Sequence, residues 1–328
     1  MLKIGVLGAG HLGKIHLKCI GLATGHYELV GFYDPNPQQA QLAAEAHETK
    51  AFESVEALLD AVDVVDIVTP TTTHYKLAKQ AMLAGKHVFI EKPLTHTVEE
   101  AEELVSISQQ QGVKVQVGHV ERFNPALLAL GEMPLDPMFI EAHRLSIFNP
   151  RGTDVSVILD LMIHDLDIVL SLVQSPVREV HASGVAVVSD SPDIANVRLE
   201  FEHGGVANLT ASRISLKQMR KVRFFQRDAY ISLDFLEKQA QIVRLYDQPQ
   251  EEQPHMMELD TNRGKKYITM DMPDIESVNA IKMELETFAD SILQDTRPRV
   301  GIEDGYSALK LAHQIIARIE AQNSKILS

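Results

Sequence analysis

The sequence predicts an α/β domain with a doubly wound parallel sheet, followed by an α+β domain built on an open, mainly antiparallel sheet. Three observations predict this. Residues 3–13, KIGVLGAGHLG, read as strand, tight glycine turn and helix. Apolar, β-branched runs then alternate with helical stretches as far as His119, the pattern of a parallel sheet with crossover helices. From Arg122 onward strands follow strands. The boundary is therefore expected after residue 121, giving domains 1–121 and 122–328, with the C-terminal helices free to pack back on the first.

The glycine turn carries specific chemistry. Gly8 permits the sharp turn, Gly10 lets a pyrophosphate approach the backbone, and Gly13 lets helix and strand pack closely. His11 and Leu12 lie in the same turn, at a helix start whose N–H groups and dipole favour phosphate. The next strand, 28–34, ends in Asp34, 21 residues past Gly13. That is where an acid binding the adenosine ribose hydroxyls belongs. No Lys or Arg stands between Asp34 and Glu48 to receive a 2′-phosphate, so the reading is a Rossmann domain for NAD rather than NADP.

The first domain continues in order. Pro35, Asn36 and Pro37 open a helix to 47, and Ser54 caps another over 55–59. Residues 62–70 form a buried parallel strand, and Thr71, Thr72, Thr73 and His74 lead into a helix over 75–84, stopped by Gly85. Strand 87–93 ends in Glu91, Lys92 and Pro93. A helix over 98–110 is capped from Thr97, its early acids suiting the dipole, and strand 113–119 follows. Ligands of such sheets bind at the carboxyl ends of the strands. Gly8–Gly13, Asp34, Thr69–His74 and Glu91–Pro93 all leave that edge, so Lys92 is placed to hydrogen-bond a substrate oxygen.

In the second domain, strand 137–148 and a turn at 149–152 precede an apolar helix over 155–173. At about 100° per residue, Ser156, Asp160, His164, Asp167 and Ser171 fall on one stripe of it and Asp165 points away. A carboxylate one turn before a His can orient the imidazole as a general base. Strands follow at 177–188, at 196–213 as a hairpin turning on Gly204-Gly205, at 219–235 and at 239–246. Residues 247–266 read as a loop or poorly ordered hairpin, and 279–293 and 304–322 as amphipathic helices. An open sheet needs a cover, so an oligomer contact is expected on its free face. Arg213, Lys217, Arg220, Lys221 and Arg223 form a local cationic run, read mostly as alternating charge on a solvated strand.

Composition sets the bounds. The chain has 328 residues, 45% hydrophobic, with net charge −14, which argues against nucleic-acid binding through a basic face. Its single cysteine, Cys19, excludes an internal disulfide and a cysteine metal cluster, and no metal is expected. With no signal peptide and no apolar run long enough to span a bilayer, a soluble cytoplasmic protein is the expectation.

These residues resemble a known family. GAGHLG at 8–13, Asp34, TPTTTH at 69–74, EKP at 91–93, ILDLMIHDLD at 158–167 and EDG at 303–305 are similar to the glucose–fructose oxidoreductase, inositol dehydrogenase and MocA family along the whole chain. The resemblance implies a dehydrogenase, with Lys92 as a catalytic or substrate-polarising group, His164 as the acid/base and Asp160 as its partner or a substrate ligand. It also implies that Thr69, Pro70, Thr71 and His74 line the cofactor and that Glu91 lies on the nicotinamide side. Dimers or tetramers through the second sheet are implied as well. Many members have Gly where this chain has Met162, so a narrowed pocket is expected there. Within the family, 120–126 and 154–168 resemble bacterial nucleotide-sugar dehydrogenases that oxidise the 3-hydroxyl of UDP-N-acetylglucosamine. By that likeness Arg122 and Asn124 sit near cofactor and sugar, and Arg144 or Arg151 meets the phosphates. A same-fold enzyme for a free polyol, an imine or a tetrapyrrole is the first rival. A non-catalytic dinucleotide-binding regulator is the second, and keeping Lys92, Asp160 and His164 argues against it.

Overall fold

The computed structural model describes residues 1–149, 155–250 and 256–327. The chain divides into two compact units, Met1–Phe123 with Asn279–Lys310, and Asn124–Val278 with Leu311–Ser328.

The first unit begins β1 (Leu2–Leu7), α1 (His11–Leu22), β2 (Tyr27–Tyr33), α2 (Pro37–His47), α3 (Val55–Ala61) and β3 (Val64–Ile67). It continues with α4 (Thr71–Leu83), β4 (His87–Glu91), α5 (Val98–Gln111) and β5 (Val115–Gly118). Among the described residues the sheet has five strands in the order β2-β1-β3-β4-β5, all pairs parallel. β3, β4 and β5 are buried nearly throughout, which is why they read as continuous apolar runs. Side chains alternate across the sheet. Ile4 and Val6 face Leu17 and Ile20 of α1, whereas Gly5 leaves room for Leu58 of α3 on the other face.

Local chemistry sets the helix ends. Asn36 and Ser54 cap α2 and α3 from their side chains, and Thr97 with Glu100 forms a capping box on α5, each satisfying amides the helix leaves open. Gly112 ends α5 in the left-handed conformation, as the missing Cβ allows. Thr71–His74, expected as a lead-in loop, are instead the first turn of α4.

After β5 come a 3₁₀ turn (Val120–Phe123), α6 (Pro125–Leu128) and β6 (Phe139–Leu145). A π-helical turn (Ile158–Met162) runs into α7 (Ile163–Leu172), replacing the single α-helix expected over 155–173. The strands β7 (Val177–Val185), β8 (Ile194–Phe201), β9 (Val206–Ser212), β10 (Met219–Phe225) and β11 (Ala229–Asp234) follow. Then come β12 (Gln239–Tyr246), β13 (Met257–Thr261), β14 (Gly264–Asp271), α8 (Ala280–Leu293) and α9 (Ile302–Leu327). The β13–β14 pair is antiparallel, so residues 257–266 are an ordinary hairpin, while 247–250 are irregular. α8 returns to the first unit, where Leu285, Phe288 and Ala289 join the core containing Ile4 and Phe89.

The second sheet has nine strands among the described residues, in the order β13-β14-β12-β11-β10-β6-β9-β8-β7. It is antiparallel except where β6 pairs with β9. One face packs Ile140, Val197, Leu209 and Phe224 against Ile158, Met162, Leu166 and the Ile315 turn of α9. The other face is self-paired: Arg223 meets Glu141, Lys221 meets Asp234, and Arg198 meets Glu200 and Asn208. Lys221 and Arg223 of the cationic run thus belong to a solvated ladder, whereas Arg220 alternates onto the face of Val222 and Phe224, opposite Arg144 in register. Arg213 is buried and donates to the Val155 carbonyl.

Candidate active site

The glycine turn has the geometry a dinucleotide needs. Gly8 sits at φ +99. A Cβ on Gly13 would lie 2.0 Å from the Gly8 carbonyl oxygen, so β1 and α1 meet backbone to backbone. A Cβ on Gly10 would meet nothing nearer than Gln39 Nε2 at 3.7 Å, which leaves open space before the helix. No side chain caps α1, so the N–H groups of its first turn face outward, as a phosphate site requires.

Asp34 is fixed in place. Its Oδ2 accepts the Ala9 N–H at 2.8 Å and its Oδ1 the Asn36 N–H at 2.9 Å. Gly8, Gly10, Asp34, Thr69 and Pro70 line one cavity of about 700 Å³. The residues present therefore fit the adenosine and pyrophosphate of a dinucleotide. The same cavity is lined by Lys76 and Glu56, which the sequence does not announce. Lys76 lies well beyond the stretch from Asp34 to Glu48 and lines the cavity from α4. Glu56 is held below the ordinary carboxyl range by its own backbone amide, Gln80 and Ser54, with Lys76 adding attraction.

His74 is buried, with Nδ1 2.9 Å from the Pro93 oxygen and Nε2 2.8 Å from the Thr69 oxygen. It ties the loop after β3 to the loop after β4, where direct contact with the cofactor was the expectation. Burial lowers its pKa against the pull of the two carbonyls. Glu91 is also buried, its Oε2 accepting the Lys92 N–H at 3.2 Å. Lys92 follows directly and is half-buried. Arg122 sits in the 3₁₀ turn after β5, Nη2 4.0 Å from Asp304 Oδ1. Arg299, not singled out in the sequence, lies over the Phe123 ring at 5.0 Å. Burial and the neighbouring Arg122 push its pKa down, the signature of two cations held close.

The second unit holds Asp160 in the π-helical turn and His164 in the first turn of α7, both half-buried. Such turns recur at functional sites because they re-aim side chains within a helix. Three expectations change here. Met162, where the resemblance implied a narrowed pocket, is fully buried in the apolar core instead. Arg144 is 3% exposed and grips Asp165 with two hydrogen bonds, Nε to Oδ2 at 3.0 Å and Nη2 to Oδ1 at 2.8 Å. Its guanidinium anchors α7 to β6 instead of reaching a phosphate. Asn124 caps α6 by accepting the Ala126 N–H and donates to the Phe235 carbonyl, a structural use of both its polar atoms. Arg151 lies outside the described residues.

A glycine-rich dinucleotide turn on a parallel sheet, followed by a unit with Asp160 in a π-helical turn and His164 in the helix it opens, is the architecture of a nicotinamide-dependent oxidoreductase. The chain belongs to the glucose–fructose oxidoreductase, inositol dehydrogenase and MocA family, as a dehydrogenase acting on CH–OH groups. Residues 2–119 match the model of the oxidoreductase family with an NAD-binding Rossmann fold, and residues 139–229 match the C-terminal domain of the same family. The chain is 42% identical over 236 residues to UDP-N-acetylglucosamine 3-dehydrogenase of Acidithiobacillus ferrooxidans, covering 72% of this chain and 74% of the relative. It is 31% identical over 234 residues to scyllo-inositol 2-dehydrogenase (NAD(+)) of Bacillus subtilis, covering 65% and 68%. Among solved structures, the Acidithiobacillus ferrooxidans enzyme superposes with a TM-score of 0.87 at 36% identity, covering 98% of each chain. No helix among the described residues is long and apolar enough to cross a membrane.

Proposed function

We propose that this chain is an NAD-dependent dehydrogenase that oxidises the 3-hydroxyl of a UDP-linked N-acetyl sugar. The likeness to the Acidithiobacillus ferrooxidans enzyme supports the substrate class. The observation that carries the chemistry is the presence of half-buried Lys92, Asp160 and His164 in a chain otherwise built like that enzyme. The first turn of α1 would hold the pyrophosphate, Asp34 the adenosine ribose, and Thr69 and Pro70 the wall beside them. The nicotinamide, when bound, accepts the hydride from the sugar carbon. His164 takes the hydroxyl proton as general base and Asp160 stabilises the imidazolium so formed. Lys92 donates to the developing alkoxide oxygen. Arg122, with Arg299 beside it, is the phosphate-binding candidate retained.

The proposal is tested by NADH fluorescence with UDP-sugars, free sugars and inositols. A signal confined to UDP-linked N-acetyl sugars supports it, and a signal confined to inositols assigns the chain to polyols instead. NAD is favoured because Asp34, anchored to the glycine turn, would repel a 2′-phosphate. Replacing Asp34 with Ala should weaken NAD binding about tenfold, a loss of about 1.4 kcal/mol, and strengthen NADP binding as the repulsion is relieved, by isothermal titration. Equal effects on both cofactors would contradict the assignment.

The open face of the second sheet supports a homodimer or homotetramer. Phe225, paired in register with Phe139 and Tyr230, forms an aromatic group among its polar ladders. Light scattering should give a dimer or tetramer, and Phe225→Glu should shift it toward monomer. A wild-type monomer would refute this contact.

A further inference from the structure

Beneath the end of β4 lies a group of ionisable side chains to which the reaction just described assigns no step. His16 of α1, Asp66 of β3 and Glu284 of α8 are fully buried, and Glu91 is 9% exposed. His16 Nδ1 lies 2.9 Å from Asp66 Oδ2, and its Nε2 lies 3.2 Å from Glu91 Oε1. The Phe89 ring meets the imidazole edge-on at 5.7 Å. Glu284 of α8 faces the same group, feeling Glu91, His16 and Asp66, and neither of its carboxyl oxygens has a hydrogen-bond partner. Its neighbour Gln116, on β5, donates to the Glu284 backbone carbonyl instead. Tyr27 of β2, which feels Asp66, completes the titratable surroundings and donates to the Leu285 carbonyl.

Charge and geometry assign the protons. Nδ1 hydrogen-bonds Asp66, and Nε2 faces Glu91 at ion-pair distance without a hydrogen bond of good geometry; two carboxylates this close favour the imidazolium. Burial alone would lower the His16 pKa, but Asp66 and then Glu91 outweigh it and hold it well above the ordinary value. A third carboxylate here would be a buried charge without a donor, which is costly. Burial and the nearby Glu91 accordingly keep Glu284 protonated far above the usual carboxyl range, against the pull of His16. Burial likewise raises Asp66, opposed by His16.

Glu91 joins this group to the site. One of its oxygens meets His16 and the other accepts the Lys92 N–H at 3.2 Å. A Cβ on Gly118 would come within 2.8 Å of Glu91 Oε1, so the carboxylate lies flat across a strand that has room for it only as glycine. We propose that His16 is a positioning residue: its imidazolium, clamped between Asp66 and Glu91, fixes the Glu91 carboxylate on the Lys92 amide and so sets where the Lys92 side chain begins. This rests on Lys92 acting on the substrate, as proposed above.

The test uses the intact protein with labelled histidine and lysine. The His16 nitrogens should report an imidazolium at pH 8, where exposed histidines are neutral. Glu284 holds a proton in the folded state that the unfolded chain loses above about pH 4.5, so it costs stability as pH rises from there. Glu284→Gln should therefore match wild-type turnover near neutrality, and its unfolding temperature should gain on wild type as pH rises. His16→Asn should shift the Lys92 amide resonance and lower kcat by up to about 100-fold, with NADH affinity nearly unchanged. A neutral His16 at pH 8, or parallel unfolding curves for Glu284→Gln, overturns the charge assignment. A His16→Asn protein with the Lys92 resonance and kcat both unmoved overturns the positioning role. Should His16→Asn fail to fold, His16→Gln takes its place on the same readouts, and the wild-type and Glu284→Gln measurements stand regardless. If no sugar is turned over at all, the resonances and unfolding curves still decide the cluster, and the failure falls on the proposed function alone.

Discussion

Replacing His164 with alanine is expected to lower kcat about 1,000-fold while leaving NADH affinity nearly unchanged. The side chain stands in the first turn of α7, and the glycine turn and Asp34 belong to the other unit, so the two losses separate. Stopped-flow turnover and NADH titration measure them. His164 is half-buried beside a core built from Ile158, Met162, Leu166 and Val169, and a general base should lose turnover far more than unfolding temperature on replacement by alanine. Equal losses of turnover, cofactor affinity and stability would mean that His164 is a structural residue and that the general base lies elsewhere.

The second large effect is on stability. Arg144→Met should cost about 3–5 kcal/mol, because it removes two charge-assisted hydrogen bonds from the buried Asp165 carboxylate. Both side chains are 4% exposed, so solvent does not screen the loss. The double variant Arg144→Met with Asp165→Leu should recover most of the stability, since no charge then remains to be paired. Denaturant unfolding of the four proteins closes the cycle. If the double variant is no more stable than Arg144→Met alone, the pair does not act as a buried ion pair.

The contrast between these residues explains what could be seen in advance. The glycine turn, Asp34 and the capping residues announce themselves because backbone conformation and helix ends are set within a few residues. The buried strands do so because two-sided burial leaves a continuous apolar run. Pairing between distant elements leaves no local mark. Arg144 and Asp165 are 21 positions apart on a strand and a helix, and Arg144 alone looks like any strand arginine. Lys76 enters the dinucleotide cavity from a helix whose sequence says only that it is amphipathic. His16, Asp66 and Glu284 are single polar residues in apolar stretches and acquire meaning only when folding brings them together. The π-helical turn was hidden for another reason. Its one extra residue per turn changes hydrogen-bond register without changing composition, so no residue marks it, and the narrowed pocket at Met162 was implied by the family resemblance alone.

The central claim is that hydride leaves carbon 3 of a UDP-linked N-acetyl sugar. The most direct test mixes the protein and NAD with UDP-N-acetylglucosamine carrying deuterium at carbon 3, and weighs the reduced cofactor. The account predicts NADH one mass unit heavier than that formed from unlabelled sugar. Unlabelled NADH would place the oxidised carbon elsewhere, and no NADH from protein shown to bind the cofactor would contradict the proposed substrate.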